Sequence, residues 1–434
     1  MPIKPSLKEA LKFWLKLGFI SFGGPAGQIS IMHEFLVEKK KWISEKKFMN
    51  ALNYCMLLPG PEAQQLATYM GWLLHGNRGG IIAGLLFILP SMFILLGLSY
   101  VYSLYGSIPW VYAIFAGLKP AVVAIVILAL FKIGKKSLLT SIHFIIAITA
   151  FAGIYFWNIS FPIIILGSIF IAFIARKFIP SLATPTSKQK VEEDESIYVI
   201  NSNTVIPHAG FTWNRFLKQL CIGITLWLIP LLLFYLMAED FIFWKKLIFF
   251  FTQAAFVTFG GAYAVLPYVA QFGVEKFHWL TSLQMIDGLA LGETTPGPLI
   301  MVLVFVGYMA GFNHGNASVL GGTIGLFTTT FYTFLPSFLF ILMGVHLIEK
   351  TQSNEKVKIL LNIVTAAVVG VMFNFLIYLS EAVLLVNTES THLQFINVSW
   401  IALSVIAMHR FKVNMILWLG VSCVYGLVMF FVNL

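Results

Sequence analysis

A Pro-Gly-Pro triplet stands inside an apolar run at Pro59-Gly60-Pro61, and the same triplet returns 237 positions later at Pro296-Gly297-Pro298. Proline removes a backbone donor and clashes with the preceding helical turn, and glycine weakens a helix further. Each triplet therefore breaks a helix. In hydrocarbon the freed backbone groups find no water, so a break survives only where protein or a polar cavity surrounds it.

The same offset carries Phe22-Gly23-Gly24 onto Phe259-Gly260-Gly261. It also carries Phe35, Val37, Glu38, Lys39 and Trp42 onto Phe272, Val274, Glu275, Lys276 and Trp279. An ungapped register of about 40 residues is too long for chance, so the chain is a fused duplication. Interrupted helices at matching positions of two halves point to the central binding site of a transporter.

Of the 434 residues 59% are hydrophobic and 11% charged, against roughly 25% charged in soluble domains. The expected fold is an all-α polytopic membrane protein, with two homologous halves as an inverted repeat and broken or re-entrant helices at the FGG and PGP motifs. The net charge of +10 lies in clusters between apolar runs, as in cytoplasmic loops. No basic domain outside the membrane supports nucleic-acid binding. Cys55, Cys221 and Cys423 lie in apolar stretches without metal-ligand spacing and read as packing residues. No cleavable signal is expected, because Lys12 and Lys16 interrupt the first apolar run.

Four divisions follow: a first repeat over 1–178, a cytoplasmic linker over 179–215, a connecting span over 216–240, and a second repeat over 241–434. Lys4, Lys8, Lys12 and Lys16 recur every fourth residue opposite Leu7, Leu11, Phe13, Trp14 and Leu15, which predicts an amphipathic lead-in on the cytoplasmic leaflet. Broken segments follow to about 37 and over 48–75, then spans near 80–104, 109–131, 139–157 and 161–176. The polar stretch 180–212, with its acidic run Glu192 to Glu195, reads as mobile. The span near 216–238 has no counterpart in the first half and so inverts the second copy. That copy continues with broken segments near 247–273 and 282–312 and spans near 318–348, 359–385, 393–409 and 413–433. The basic loops Lys39 to Lys47, Lys350 to Lys358 and Arg410 to Lys412 then fall inside and the Glu389 loop outside. The charge rule favours re-entrant hairpins over four extra crossings.

Half-helix ends that converge near the midplane direct unpaired N–H groups into one place, each end favouring an anion by roughly 0.3–1 kcal/mol. The expected ligand is a small, tetrahedral anion. Substrate contacts are expected from Ser21, Phe22, Gly23, Gly24, Pro25, Gln28, Pro59, Gly60, Pro61 and Gln65 in the first copy, and from Thr258, Gly260, Gly261, Thr295, Pro296, Gly297 and Pro298 in the second. An ionised carboxylate at the bilayer centre costs about 2.5–3.5 kcal/mol, so Glu62, Asp287 and Glu293 are expected to carry protons. Against this stands a plain structural reading, in which the breaks are kinks that let helices pack closely. His33 and His75 border basic or polar loops and read as interfacial, and the Lys39 to Lys47 loop as a topology or lipid determinant.

At these residues the sequence resembles the long, two-domain type of the chromate ion transporter family. The resemblance runs through Phe22-Gly23-Gly24-Pro25 with Gln28, Trp42, Pro59-Gly60-Pro61-Glu62-Ala63 with Gln65-Leu66-Ala67 and Tyr69. In the second copy it runs through Phe259-Gly260-Gly261, Trp279, Thr295-Pro296-Gly297-Pro298 and Gly307-Tyr308. It implies a multi-pass inner-membrane protein that exports chromate in exchange for protons and so confers chromate resistance. The implied partners are a small oxyanion (chromate or sulfate), protons and membrane lipid, with a homodimer left open and no nucleic acid or cofactor. With a negative interior, a departing dianion gains about 4.6 kcal/mol per 100 mV. An anion channel shares the cradle without needing protonatable groups. An intramembrane enzyme acting on a lipid phosphate would need a cluster of Asp or His that the sequence lacks.

Overall fold

A computed structural model describes residues 4–178, 195–201, 204, 211–345, 355–385 and 391–432. Six of the described helices are long and apolar enough to cross a membrane, and the protein is an all-α, multi-pass membrane protein. The acidic run 192–194, the loop at 346–354 and Glu389 lie outside the described residues, so the loop assignments made for Lys350 and Glu389 are not described either.

The chain opens with two helical hairpins. Helix α1 (Leu7–Ile20) ends at Ser21, and after the Phe22-Gly23 turn α2 (Gly24–His33) begins, continued by a π-helical stretch over Glu34–Lys39. The second arm returns beside the first: Phe13 stacks on Phe35 at 4.9 Å and Lys40 pairs with Glu9 at 2.9 Å. Helix α3 (Glu45–Cys55) then runs to the Pro59-Gly60-Pro61 break, beyond which α4 (Glu62–Tyr105) starts. α4 is bent at His75 and Gly76 into two arms that lie against each other. Gly71 and Gly79 permit this, since a Cβ on either would meet the other's carbonyl oxygen at 2.4 or 2.3 Å. At the bend, the His75 ring meets the Pro5 carbonyl at 3.0 Å, so both hairpins have their outer ends together.

The predicted surface lead-in is corrected here. Ala10, Phe13, Trp14, Leu17 and Gly18 of α1 are buried, and Gly18 lies against Leu86 and Pro90 of α4. The apolar face that reads as lipid-seeking is covered by protein, and α1 is the first arm of a hairpin.

Helices α5 (Pro109–Ser137), α6 (Ser141–Trp157) and α7 (Phe161–Phe178) follow. The next described stretch amends the expectation of a mobile linker. Val199 and Ile200 donate to the carbonyls of Lys41 and Trp42 at 3.1 and 3.0 Å, and Tyr198 is 3% exposed. Burying Tyr198 and Ile200 fixes a piece of an otherwise polar stretch against the loop between the first two hairpins.

Helix α8 (Trp213–Met237) starts beside the first copy's outer end, with Arg215 3.4 Å from Asn77, and finishes where Phe234 stacks on Trp244 at 4.7 Å. Helix α9 (Phe241–Val257) leads to the break at 258–261. A return arm follows, made of a 3-10 turn over Ala262–Val265, α10 (Leu266–Val269) and a π-helical stretch over Ala270–Lys276. Helix α11 (Ser282–Thr294) reaches the second Pro-Gly-Pro, followed by a 3-10 turn over Leu299–Met301, α12 (Val302–His314) and α13 (Val319–Gly344). The outer ends again gather: His314 pairs with Asp240 at 3.0 Å and Asn313 donates to the Trp279 carbonyl at 2.7 Å.

The remaining helices are α14 (Glu355–Leu384), α15 (Thr391–His409) and α16 (Met415–Val432). Close approaches at small residues hold them: Gly117 of α5 against Gly426 of α16, and Gly370 of α14 against the Ala147 carbonyl of α6. Where lipid competes for apolar surface, such close backbone packing supplies the association energy.

Candidate functional site

The four breaks meet one another. The Gly60 amide donates to the Thr258 carbonyl at 2.8 Å, and the Gly297 amide donates to the Ser21 carbonyl at 2.8 Å. Each Pro-Gly-Pro break of one copy is thus tied to the FGG break of the other. Ser21 and Thr258 occupy the same repeat position, and each turns its hydroxyl back to a carbonyl four residues earlier, Leu17 at 2.5 Å and Ala254 at 2.6 Å. Gln28 Nε2 reaches the Gly297 carbonyl, Gln65 Nε2 the Pro59 carbonyl at 2.7 Å, and Ser91 Oγ the Pro296 carbonyl. The backbone needs glycine here: of seven glycines with positive φ among the described residues, Gly23, Gly24, Gly60, Gly260, Gly261 and Gly297 belong to the breaks. An L side chain in that region costs roughly 1–2 kcal/mol.

This geometry amends the expectation of bare amides around a shared open pocket. The N–H groups of Gly60 and Gly297 are already bonded, and the two copies touch directly. Two cavities, of about 170 and 290 Å³, lie elsewhere: one by Gln271, Glu275, Tyr378 and Glu381, the other by Asp240, Lys246, His278 and His314.

Donors nevertheless remain at the breaks, because a helix leaves its first N–H groups without intrahelical acceptors. At the outer starts of the hairpin arms, side chains fill this need: Ser6 caps α1, Ser44 caps α3, Asp240 caps α9 and Thr281 caps α11. At the inner starts no side chain does so. Gly23 before α2, Pro61 before α4, Gly261 before the turn at Ala262 and Pro298 before the turn at Leu299 make no side-chain cap. A Cβ at Gly24 or Gly261 would meet nothing within 4 Å, so there is space at both FGG tips.

The other predicted residues divide between this centre and a second cluster. Phe22, Pro25 and Gly260 border the tips and are half-buried, whereas Pro296 and Pro298 are buried. Thr295 Oγ1 is satisfied by the Leu291 carbonyl at 2.6 Å. Glu62 opens α4, half-buried, in the first turn where a helix favours negative charge. Glu293, 5% exposed, accepts a hydrogen bond from the Tyr263 hydroxyl at 2.6 Å. Asp287 is not at the breaks. It lies eight residues before Thr295, about 12 Å along α11, where Lys119 Nζ is 3.5 Å from one carboxylate oxygen and the Tyr102 hydroxyl donates to the other at 2.9 Å.

Lys119, Tyr102, Ser91 and Ser337 escaped sequence reasoning. Lys119 was visible as the one charged residue inside the predicted span 109–131. The serines were visible too, since Leu89-Pro90-Ser91 recurs as Leu335-Pro336-Ser337. Their offset is 246 and not 237, because the second hairpin, from Pro298 to Pro336, is longer in its arms and its turn than the first, from Pro61 to Pro90, and the change of register hides the repeat. Around the centre, Gln28 Oε1, Gln64 Oε1, Gln65 Oε1 and Ser337 Oγ are buried without a hydrogen-bond partner among the described residues.

A family model described as chromate transporter matches residues 8–173 and again 245–427, once per copy. A probable chromate transport protein of Synechococcus elongatus is 29% identical over 89% of this chain and 86% of its own length. A chromate transport protein of Pseudomonas aeruginosa is 30% identical over 86% of this chain and 80% of its own. An uncharacterised transporter of Bacillus subtilis is 30% identical over 38% of this chain but 84% of its own length, so it has about the size of a single copy. No solved structure matches.

Proposed function

The chain belongs to the chromate transporter family, and from that premise we propose that it is a secondary transporter that moves chromate, or sulfate of the same shape and charge, out across the plasma membrane in exchange for protons. The single observation that carries this reading is the crossing of the four breaks, where Gly60 meets Thr258 and Gly297 meets Ser21 while every inner helix start lacks a side-chain cap. Converging half-helices whose starts leave donors unfilled suit an anion carried between two sides. On this reading the two copies are an inverted pair. Support comes from α8, whose start lies by Asn77 of the first copy and whose end lies by Trp244 of the second. The outer ends of the first copy carry Lys39, Lys40, Lys41, Lys46, Lys47 and Arg78, which places them in the cytoplasm by the charge rule.

The two glycine-to-carbonyl bonds close the centre in the described state, and transport requires that they open in turn. Glu293 with Tyr263 and Asp287 with Lys119 and Tyr102 are the proton-carrying groups, and Glu62 adds a third carboxylate beside the first Pro-Gly-Pro. Purified protein in liposomes loaded with unlabelled oxyanion should accumulate labelled chromate or sulfate by counterflow and respond to an imposed pH gradient. Ionic conductance without counterflow would mark a channel, and neither flux nor conductance would remove the transport reading.

A further inference from the structure

The first Pro-Gly-Pro break has a polar neighbour with nothing to bond. Ser337 of α13 is 1% exposed, and its hydroxyl has no hydrogen-bond partner among the described residues. It is pressed against Gly60: a Cβ built on that glycine would lie 2.4 Å from Ser337 Oγ and 3.6 Å from Ser337 Cβ. Its repeat mate Ser91 donates to the Pro296 carbonyl. The equivalent carbonyl in the first copy, that of Pro59, is occupied by Gln65 Nε2 at 2.7 Å. Ser337 thus differs from its repeat mate in making no hydrogen bond to the carbonyl of its own break, nor to any other group among the described residues.

Packing alone does not explain the hydroxyl. An alanine would keep a Cβ beside Gly60 and would avoid burying an unpartnered polar group, which is costly. Immediately after Gly60 and Pro61, α4 begins without a side-chain cap, so its first amides are also donors in want of an acceptor. A hydroxyl and a set of helix-start amides on one break form a ready partner for charged oxygens.

Resting on the transport reading, we infer that Ser337 contacts the substrate: its hydroxyl and the first amides of α4 hold one edge of a divalent tetrahedral oxyanion against the first Pro-Gly-Pro. The two halves are unequal in this respect, because Ser91 is already closed on protein.

The test uses purified full-length protein as wild type, Ser337→Ala and Ser337→Cys, with sulfate as the probe. Sulfate binding is read by thermal shift in detergent and by counterflow in liposomes. Loss of one hydrogen bond to a charged group should weaken sulfate binding and raise KM by about ten- to a hundredfold in Ser337→Ala, and by less in Ser337→Cys, which keeps a weak donor. The melting temperature without sulfate should not fall in Ser337→Ala. Wild-type binding and counterflow with unchanged affinity and KM in both variants would overturn the serine assignment alone. Absence of both sulfate binding and oxyanion flux in the wild type would overturn the assignment together with the transport reading.

Discussion

The Gly297 amide donates to the Ser21 carbonyl at 2.8 Å, and the same bond between Gly60 and Thr258 repeats it with the copies exchanged. Two segments remote in sequence thereby satisfy each other's broken backbone, as an apolar surrounding demands.

Substitutions at these glycines should separate by position. Gly297→Ala places a Cβ on Ser91 Oγ at φ +99°, adding about 1–3 kcal/mol of overpacking to about 1–2 kcal/mol of backbone strain. Gly24→Ala, at φ +69° with nothing within 4 Å, carries the strain alone. Thermal melts of the two variants should show the larger loss in Gly297→Ala, and equal losses would contradict the packing described at that break.

The buried pair of Lys119 and Asp287 predicts a double-mutant result. Lys119→Met or Asp287→Asn alone leaves a buried charge without its partner and should destabilise the protein by about 3–5 kcal/mol. The double variant should recover most of that loss while its flux no longer responds to pH. Additive destabilisation in the melts would show that the two side chains do not act as a pair.

Glu293 supplies the pH test of transport. With protons exchanged for oxyanion, export should rise as the side opposite the substrate is made acidic, because inward proton movement then assists it. Glu293→Gln should make the flux indifferent to that gradient, and Tyr263→Phe, which removes the 2.6 Å bond, should shift the pH at which flux is half-maximal. A Glu293→Gln variant that still follows the gradient would remove this carboxylate from coupling.

The duplication and the positions of its breaks were legible in the sequence, because proline and glycine act locally and a 237-residue register is plain to read. The bend of α4 at His75 and Gly76 was legible as a boundary between segments. The pairing of Gly60 with Thr258 was not, since backbone hydrogen bonds between distant segments leave no trace in residue type. Asp287 was placed with the breaks because a buried carboxylate announces cost and not location. Its partner Lys119 comes from α5, a helix on which sequence reasoning marked no site residue. The docking of Tyr198 and Ile200 was likewise hidden, as two apolar residues do not outweigh the polarity of the surrounding stretch.

Inversion of the copies predicts opposite accessibility of two loops. Cysteines introduced by Lys40→Cys and Asn316→Cys should react with a membrane-impermeant maleimide from opposite faces of sealed vesicles, scored against the three native cysteines. Labelling of both from one face would place the two copies in the same orientation and contradict the inverted pair.

The account stands most directly on where chromate binds. Anomalous scattering from chromium in crystals of the protein grown with chromate measures this without reference to flux. The account predicts a chromium peak at the crossing of the breaks, within hydrogen-bonding reach of the first amides of α4. A peak only in the cavity beside Glu275 and Glu381 or the one beside Asp240 and His314, with the Gly60–Thr258 and Gly297–Ser21 bonds intact, would contradict it.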